Sequence, residues 1–285
     1  MSIITFVNNI KEDTGKSMSL VAIATYMGIE YNNKVLVVST TDRQDKIKSC
    51  FFEDKQVKKI RFGIFGENKS TLDTESGIEG IAKIIRSNRL TPDMITNYTK
   101  VVFKDRLEIL LGAEIKNKKN PEEKVRINEE YIDLISNANN YYDKVFVDLD
   151  ENITEDVREQ IINMSDLVIV NSSQNYKSLQ KLKENKEKSE LLNSPKTLIL
   201  IGRYDKYSKY NSKNITRYLE EKNQVLTVPY NTLYFEALNE AGVPDLFLRF
   251  RKLYDSEDRN ALFIEEIKRA SENIIYRIQE LQARM

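Results

Sequence analysis

Gly15, Lys16 and Ser17 are adjacent, and the chemistry open to such a tripeptide is the binding of phosphate. A glycine lets the backbone approach phosphate oxygens closely, a lysine ammonium offsets their charge, and a serine hydroxyl can ligate Mg²⁺. The flanking residues supply the setting such a loop needs. An apolar strand-like run (IITFV, 3–7) enters a polar turn (NNIKEDT, 8–14), and a helical run (MSLVAIATYM, 18–27) follows the tripeptide. A helix beginning at Ser17 would aim its N-terminal amides at the anion. The other reading of the tripeptide is an ordinary strand-to-helix turn. A second candidate is Asp148, which ends an apolar run (KVFVD, 144–148), at the end of a strand where α/β sheets put their ligands.

Composition excludes several other chemistries. The chain has 285 residues, no histidine and one cysteine, Cys50, so a Ser-His-Asp triad, a histidine-ligated zinc and a multi-cysteine metal cluster are ruled out. Lys and Arg number 44 and Asp and Glu 44, a net charge of zero that argues against a chain whose whole surface grips nucleic acid. With 40% hydrophobic and 31% charged residues, the chain can bury a sizeable core as one large domain or two small ones. No apolar run approaches the ~18 residues of a membrane span. The first residues lack the basic start and small-residue cleavage site of a secretory signal, so a cytoplasmic protein is expected.

Apolar runs predict strands at 3–7, 34–38, 107–111, 144–147, 167–170, 197–201 and 224–228. Helical patterns lie at 17–30, 77–87, 128–139, 154–164, 176–187, 213–221 and 233–241. Alternation of this kind predicts an α/β fold, a doubly wound, mainly parallel sheet flanked by helices, in a single domain over 1–285. A last helix near 260–283 lines up Phe263, Ile264, Ile267, Ala270, Ile274, Ile278 and Leu281, a stripe that suits packing on the domain. Residues 51–65 read as a hairpin or irregular insertion, and 116–124 (KNKKNPEEK) as a solvated charged loop.

The phosphate loop departs from G-x-x-x-x-G-K-[ST], because the first glycine would fall on Ile10. As K-G-G-x-G-K-[ST], residues 11–17 (KEDTGKS) align without gaps, with Glu12 and Asp13 where two glycines are usual. In this form the sequence resembles the MinD/ParA-like P-loop ATPases, which include partition, division-site-placement and pilus-localising ATPases. The resemblance continues through 34–44 (KVLVVSTTDRQ), 142–148 (YDKVFVD), 166–171 (DLVIVN), 198–205 (LILIGRYD) and 228–238 (VPYNTLYFEAL), in family order.

The resemblance implies ATP and Mg²⁺ as cofactors. It places nucleotide contacts at Thr14, Gly15, Lys16, Ser17, Met18, Gly202, Arg203 and Pro229, and metal ligation at Ser17 and Asp148. Lys11 becomes the extra lysine that reaches a partner's nucleotide in an ATP-sandwich homodimer, or else a local charge partner of Glu12 and Asp13. The water-orienting aspartate belongs to the first acid of D-x-D-P-Q. An ungapped match puts Ser39 or Thr40 there, and a one-residue shift lets Asp42 serve. Gly202 replaces the usual base-reading asparagine, leaving base contact to backbone atoms or Arg203.

Slow hydrolysis, or binding without turnover, follows from these departures. The functional expectation is a nucleotide-dependent dimeric switch that recruits a partner for partition, pilus or conjugation machinery. The alternative is a nucleotide-binding scaffold that has lost the catalytic carboxylate. A third class, nonspecific DNA binding, would use the lysine-rich stretches 181–188 and 203–213, which read better as solvated surface.

Overall fold

A computed structural model describes residues 1–40, 45–53, 77–113, 121–253 and 257–284, without the side chains of Asp45 and of residues 121–126. Among the described residues an eight-stranded sheet runs β3-β4-β2-β5-β1-β6-β7-β8. Its strands are β1 (Ser2–Asn8), β2 (Val35–Ser39), β3 (Lys100–Phe103), β4 (Leu107–Leu110), β5 (Lys144–Asp148), β6 (Leu167–Ser173), β7 (Thr197–Tyr204) and β8 (Leu226–Pro229). Every neighbouring pair is parallel except β3 with β4. The expected doubly wound, mainly parallel sheet is therefore present.

The helices are α1 (Lys16–Glu30), α2 (Asp45–Phe51), α3 (Ile78–Arg86), α4 (Pro121–Ala138), α5 (Glu155–Met164), α6 (Tyr176–Lys186), α7 (Glu190–Asn193), α8 (Ser212–Tyr218), α9 (Thr232–Asn239), α10 (Val243–Phe250) and α11 (Arg259–Gln282). They cover both faces of the sheet, which explains why its strands are apolar runs instead of alternating ones. Along β1, Ile4 and Phe6 face one core with α1, α2, α9, α10 and α11. Ile3 and Val7 face the other core, with α3, α4, α5, α6 and α8. α1 is buried from Ser19 to Gly28, consistent with an apolar helix wedged between the sheet and α11. α11 itself buries Phe263, Ile267, Ala270, Ile274 and Ile278.

Several stretches differ from the sequence expectation. β3, α2, α7 and α10 lie where no element was expected. The stretch 116–124 is not all loop: α4 begins at Pro121, seven residues before the expected start at 128. Of the stretch 51–65, Phe51 closes α2 and residues 54–65 lie outside the described residues. No helix among the described residues is long and apolar enough to cross a membrane.

Candidate functional site

β1 lies between β5 and β6, and the sheet order turns outward in both directions from it. In open α/β sheets, ligands bind at such a switch point, beyond the carboxyl ends of the strands. Here that crevice holds the loop from β1 to α1. Gly15 precedes α1 with φ of 77°, a left-handed conformation that glycine adopts without strain. The turn lets α1 start directly over the end of β5.

Three predicted residues meet there. Lys16 Nζ lies 2.8 Å from Asp148 Oδ1, and the Ser17 hydroxyl donates to Asp148 Oδ2 at 2.7 Å. Lys16 also donates to the Leu149 carbonyl. Asp148 has no exposed surface, and its register with both Phe6 and Ser39 places it at the end of the central strands. An ionised carboxylate in such a place requires cationic or hydrogen-bonding partners. The arrangement thus brings one ammonium and one hydroxyl of the cleft lining onto a single acid buried beneath them.

That cleft has a volume of about 780 Å³ and is lined by Lys11, Thr14, Gly15, Lys16, Ser17, Met18 and Arg203, among others. Gly202 sits behind the wall, where a Cβ would come within 2.3 Å of the Thr14 carbonyl oxygen, so only glycine lets β7 approach the loop this closely. Pro229 lines a neighbouring recess with Met18, Arg203 and Tyr234, whose hydroxyl donates to the Met18 carbonyl at 2.6 Å. Asp42 lies outside the described residues.

The acidic residues of the loop are held by specific partners. Glu12 turns toward α6, where it accepts from the Ser178 hydroxyl at 3.0 Å. Asp13 accepts from Arg203 at 2.7 Å and from the Gly15 amide at 3.2 Å. Burial alone would raise the Asp13 carboxyl, but Arg203, the Gly15 amide and the Lys46 charge outweigh it and hold it below its ordinary value. Arg203 is accordingly bound to the loop's own acid. Lys11 is exposed and makes no ion pair among the described residues.

Several contributors went unnoticed in the sequence. Asn8, at the end of β1, accepts from the Thr14 hydroxyl at 2.6 Å and donates to Glu151 at 2.8 Å, joining the phosphate loop to the turn after β5. Asp150, Glu151, Asn152 and Lys46 also line the cleft. Their signal was proximity in the chain, since three of them follow Asp148 within four residues. Thr40 donates to the Asp148 carbonyl at 3.0 Å and accepts from the Asp150 amide at 2.8 Å, which commits its hydroxyl to the scaffold. Cys50 also borders the cleft, and burial, with the Asp148 charge adding to it, pushes its thiol up to about 12, so it is no nucleophile.

Solved structures share this architecture. A ParA family ATPase from Chlorobium tepidum superposes with a TM-score of 0.64 at 16% identity, over 96% of this chain and 98% of that one. The septum site-determining protein MinD of Pyrococcus horikoshii, complexed with Mg-ADP, gives 0.62 at 15% identity, over 97% and 98%. A putative plasmid partition protein from Borrelia burgdorferi, bound to AMPPNP, gives 0.59 at 18% identity, over 95% and 98%. No family model matches the chain, and no curated protein matches it in sequence. At these identities the likeness is one of fold: over nearly its whole length, the chain has the fold of the ParA and MinD ATPases.

Proposed function

We propose that this chain binds Mg·ATP in the cleft above β1 and β5 and acts as a nucleotide-dependent dimeric switch. In this reading residues 1–285 work as one P-loop domain, and the dimer recruits a protein partner that positions cellular machinery of the partition, pilus or conjugation type. The observation that carries the reading is the convergence of Lys16 and Ser17 on the buried Asp148 beneath a left-handed Gly15. The nucleotide states of two fold neighbours, AMPPNP and Mg-ADP, lend it support.

The residues present fit the cofactor. The Asp148 carboxylate and the Ser17 hydroxyl are adjacent oxygen donors of the kind Mg²⁺ takes, so these two residues would hold the cation. The cation, when bound, neutralises phosphate charge and polarises the transferring group. Lys16 would give charge-assisted hydrogen bonds to phosphate oxygens, and the first amides of α1 would add their dipole. Thr14, Gly15, Met18 and Arg203 would line the phosphate and sugar side, with Pro229 toward the base and Gly202 setting the wall behind them. Lys11, exposed at the rim, is available to a second copy's nucleotide.

One observation favours the alternative of a scaffold without turnover. Phosphoryl transfer to water needs a group that orients the attacking water, and the Thr40 hydroxyl is already committed at both ends. The role then rests on Ser39 or Asp42, and hydrolysis should be slow. Phosphate release by wild type and Asp42→Asn separates the two readings. Loss of turnover with ATP binding retained supports the switch, whereas an inactive wild type supports the scaffold.

Sedimentation tests dimerisation. ATP should raise the dimer fraction over ADP, and Lys11→Ala should remove most of that difference, because only the triphosphate offers a γ-phosphate to the partner's lysine. Equal dimer fractions in all four samples would reduce Lys11 to a local charge.

A further inference from the structure

The phosphate loop carries an acid at a position open to the anion it is built to receive. Asp13 Oδ1 accepts from the Gly15 amide at 3.2 Å, and Asp13 Oδ2 accepts from Arg203 at 2.7 Å. Both donors are ordinary receptors for phosphate oxygens, an amide at a helix N-terminus and a guanidinium. Asp13, Gly15, Lys16 and Arg203 all line the same cleft. The other acid of the loop, Glu12, also borders the cleft but is bonded to Ser178, so Asp13 is the loop carboxylate that holds these donors.

Arg203 is built into this arrangement. Its backbone has φ of 52°, a left-handed conformation uncommon for a side-chain-bearing residue. Its Cγ lies 3.4 Å from where a Gly15 Cβ would be, so the side chain crosses the turn on its way to Asp13. The preceding Gly202 is pressed against the Thr14 carbonyl, and β7 and the loop form one packed unit.

We propose that Asp13 is an internal anion that occupies the Gly15 amide and Arg203 in place of a nucleotide phosphate, and that a polyphosphate must displace it to enter. The inference rests on the nucleotide-binding reading above. A carboxylate two residues from its amide donor competes at high effective concentration, so it lowers the net affinity and the association rate of the incoming anion. Its own charge also repels that anion across the cleft. Displacement frees the Arg203 guanidinium to meet the ligand, which replaces one anion by another at the same donors. The pair is thus a threshold that admits ligands carrying enough negative charge.

The opposite role, a brace that holds the loop ready for phosphate, predicts the opposite sign. The Asp13 side chain is 68% exposed, so Asp13→Asn removes the charge with little disturbance of the core. Calorimetry and stopped-flow binding of Mg·ATP and of inorganic triphosphate would be compared for wild type, Asp13→Asn, Asp13→Glu and the double variant Asp13→Asn with Arg203→Gln.

A competing anion predicts that Asp13→Asn binds both probes on the order of tenfold more tightly, mostly through faster association. Asp13→Glu should stay near wild type, and Arg203→Gln should cancel much of the gain. Unchanged or weaker binding by Asp13→Asn, with wild type binding ATP normally, overturns the inference and leaves the nucleotide reading standing. If no protein of the set binds either probe, the nucleotide reading fails and the inference falls with it.

Discussion

At the scale of single residues, the site depends on a few positions that tolerate no substitute. Gly202 is one of them, because a methyl group there would meet a backbone oxygen, which cannot swing aside as a side-chain end can. Gly202→Ala should cost about 1–3 kcal/mol and weaken ATP binding by forcing the loop and β7 apart. Urea denaturation and calorimetry check both effects, and a variant as stable and as tight as wild type would refute the packing argument. Lys16, Ser17 and Asp148 were legible from the sequence because a tripeptide between strand and helix, and an acid ending an apolar strand, are local patterns. The pairing of Asp13 with Arg203 was not, since 190 residues separate them and nothing local selects one arginine. Sequence reading left base contact to Arg203 or the backbone, while the fold gives this arginine to Asp13.

At the scale of elements, side-chain caps fix where several helices begin. Asn231 caps α9 by accepting from the Tyr234 amide at 2.9 Å, and its amide group donates to Asn260 at 2.9 Å, which ties α9 to the start of α11. Asn231→Ala should lower stability by about 1 kcal/mol or somewhat more. A denaturation midpoint equal to wild type would mean that the cap is idle. The seven strands expected from apolar runs are all present, because strands covered on both faces show as continuous hydrophobic stretches. β3 escaped notice because it is an edge strand of four residues (KVVF) with no fully buried position. α10 (VPDLFLRF) spans barely two turns, too few to establish a helical period. α4 carried a readable start signal, a proline followed by two glutamates (PEE), that the charge of the surrounding loop obscured.

At the scale of the whole molecule, the two cores bury groups that resist ionisation. Burial raises the phenols of Tyr26, Tyr131 and Tyr234, burial and the neighbouring Glu108 raise Tyr142, and the Cys50 thiol is pushed up to about 12. The unfolded chain releases these protons near the ordinary values, 9.0 for the thiol and 10.0 for the phenols, while the folded chain keeps them. Stability from these groups is therefore whole below pH 9 and falls as pH rises through the window above it, by up to about 1.4 kcal/mol per pH unit for each group. Chemical denaturation at about pH 8 and about pH 10.5 should show this decline, and a level or rising stability would contradict it. The central claim, that the crevice at β1 and β5 is a nucleotide site, is tested most directly by titrating Mg·ATP into wild type and Lys16→Ala, with circular dichroism to show that the variant remains folded. The account predicts binding by wild type and a loss of roughly tenfold or more in the variant, the value of a charge-assisted phosphate contact of ~1.5–3 kcal/mol. No binding by wild type, or equal affinity in a folded Lys16→Ala protein, would contradict it.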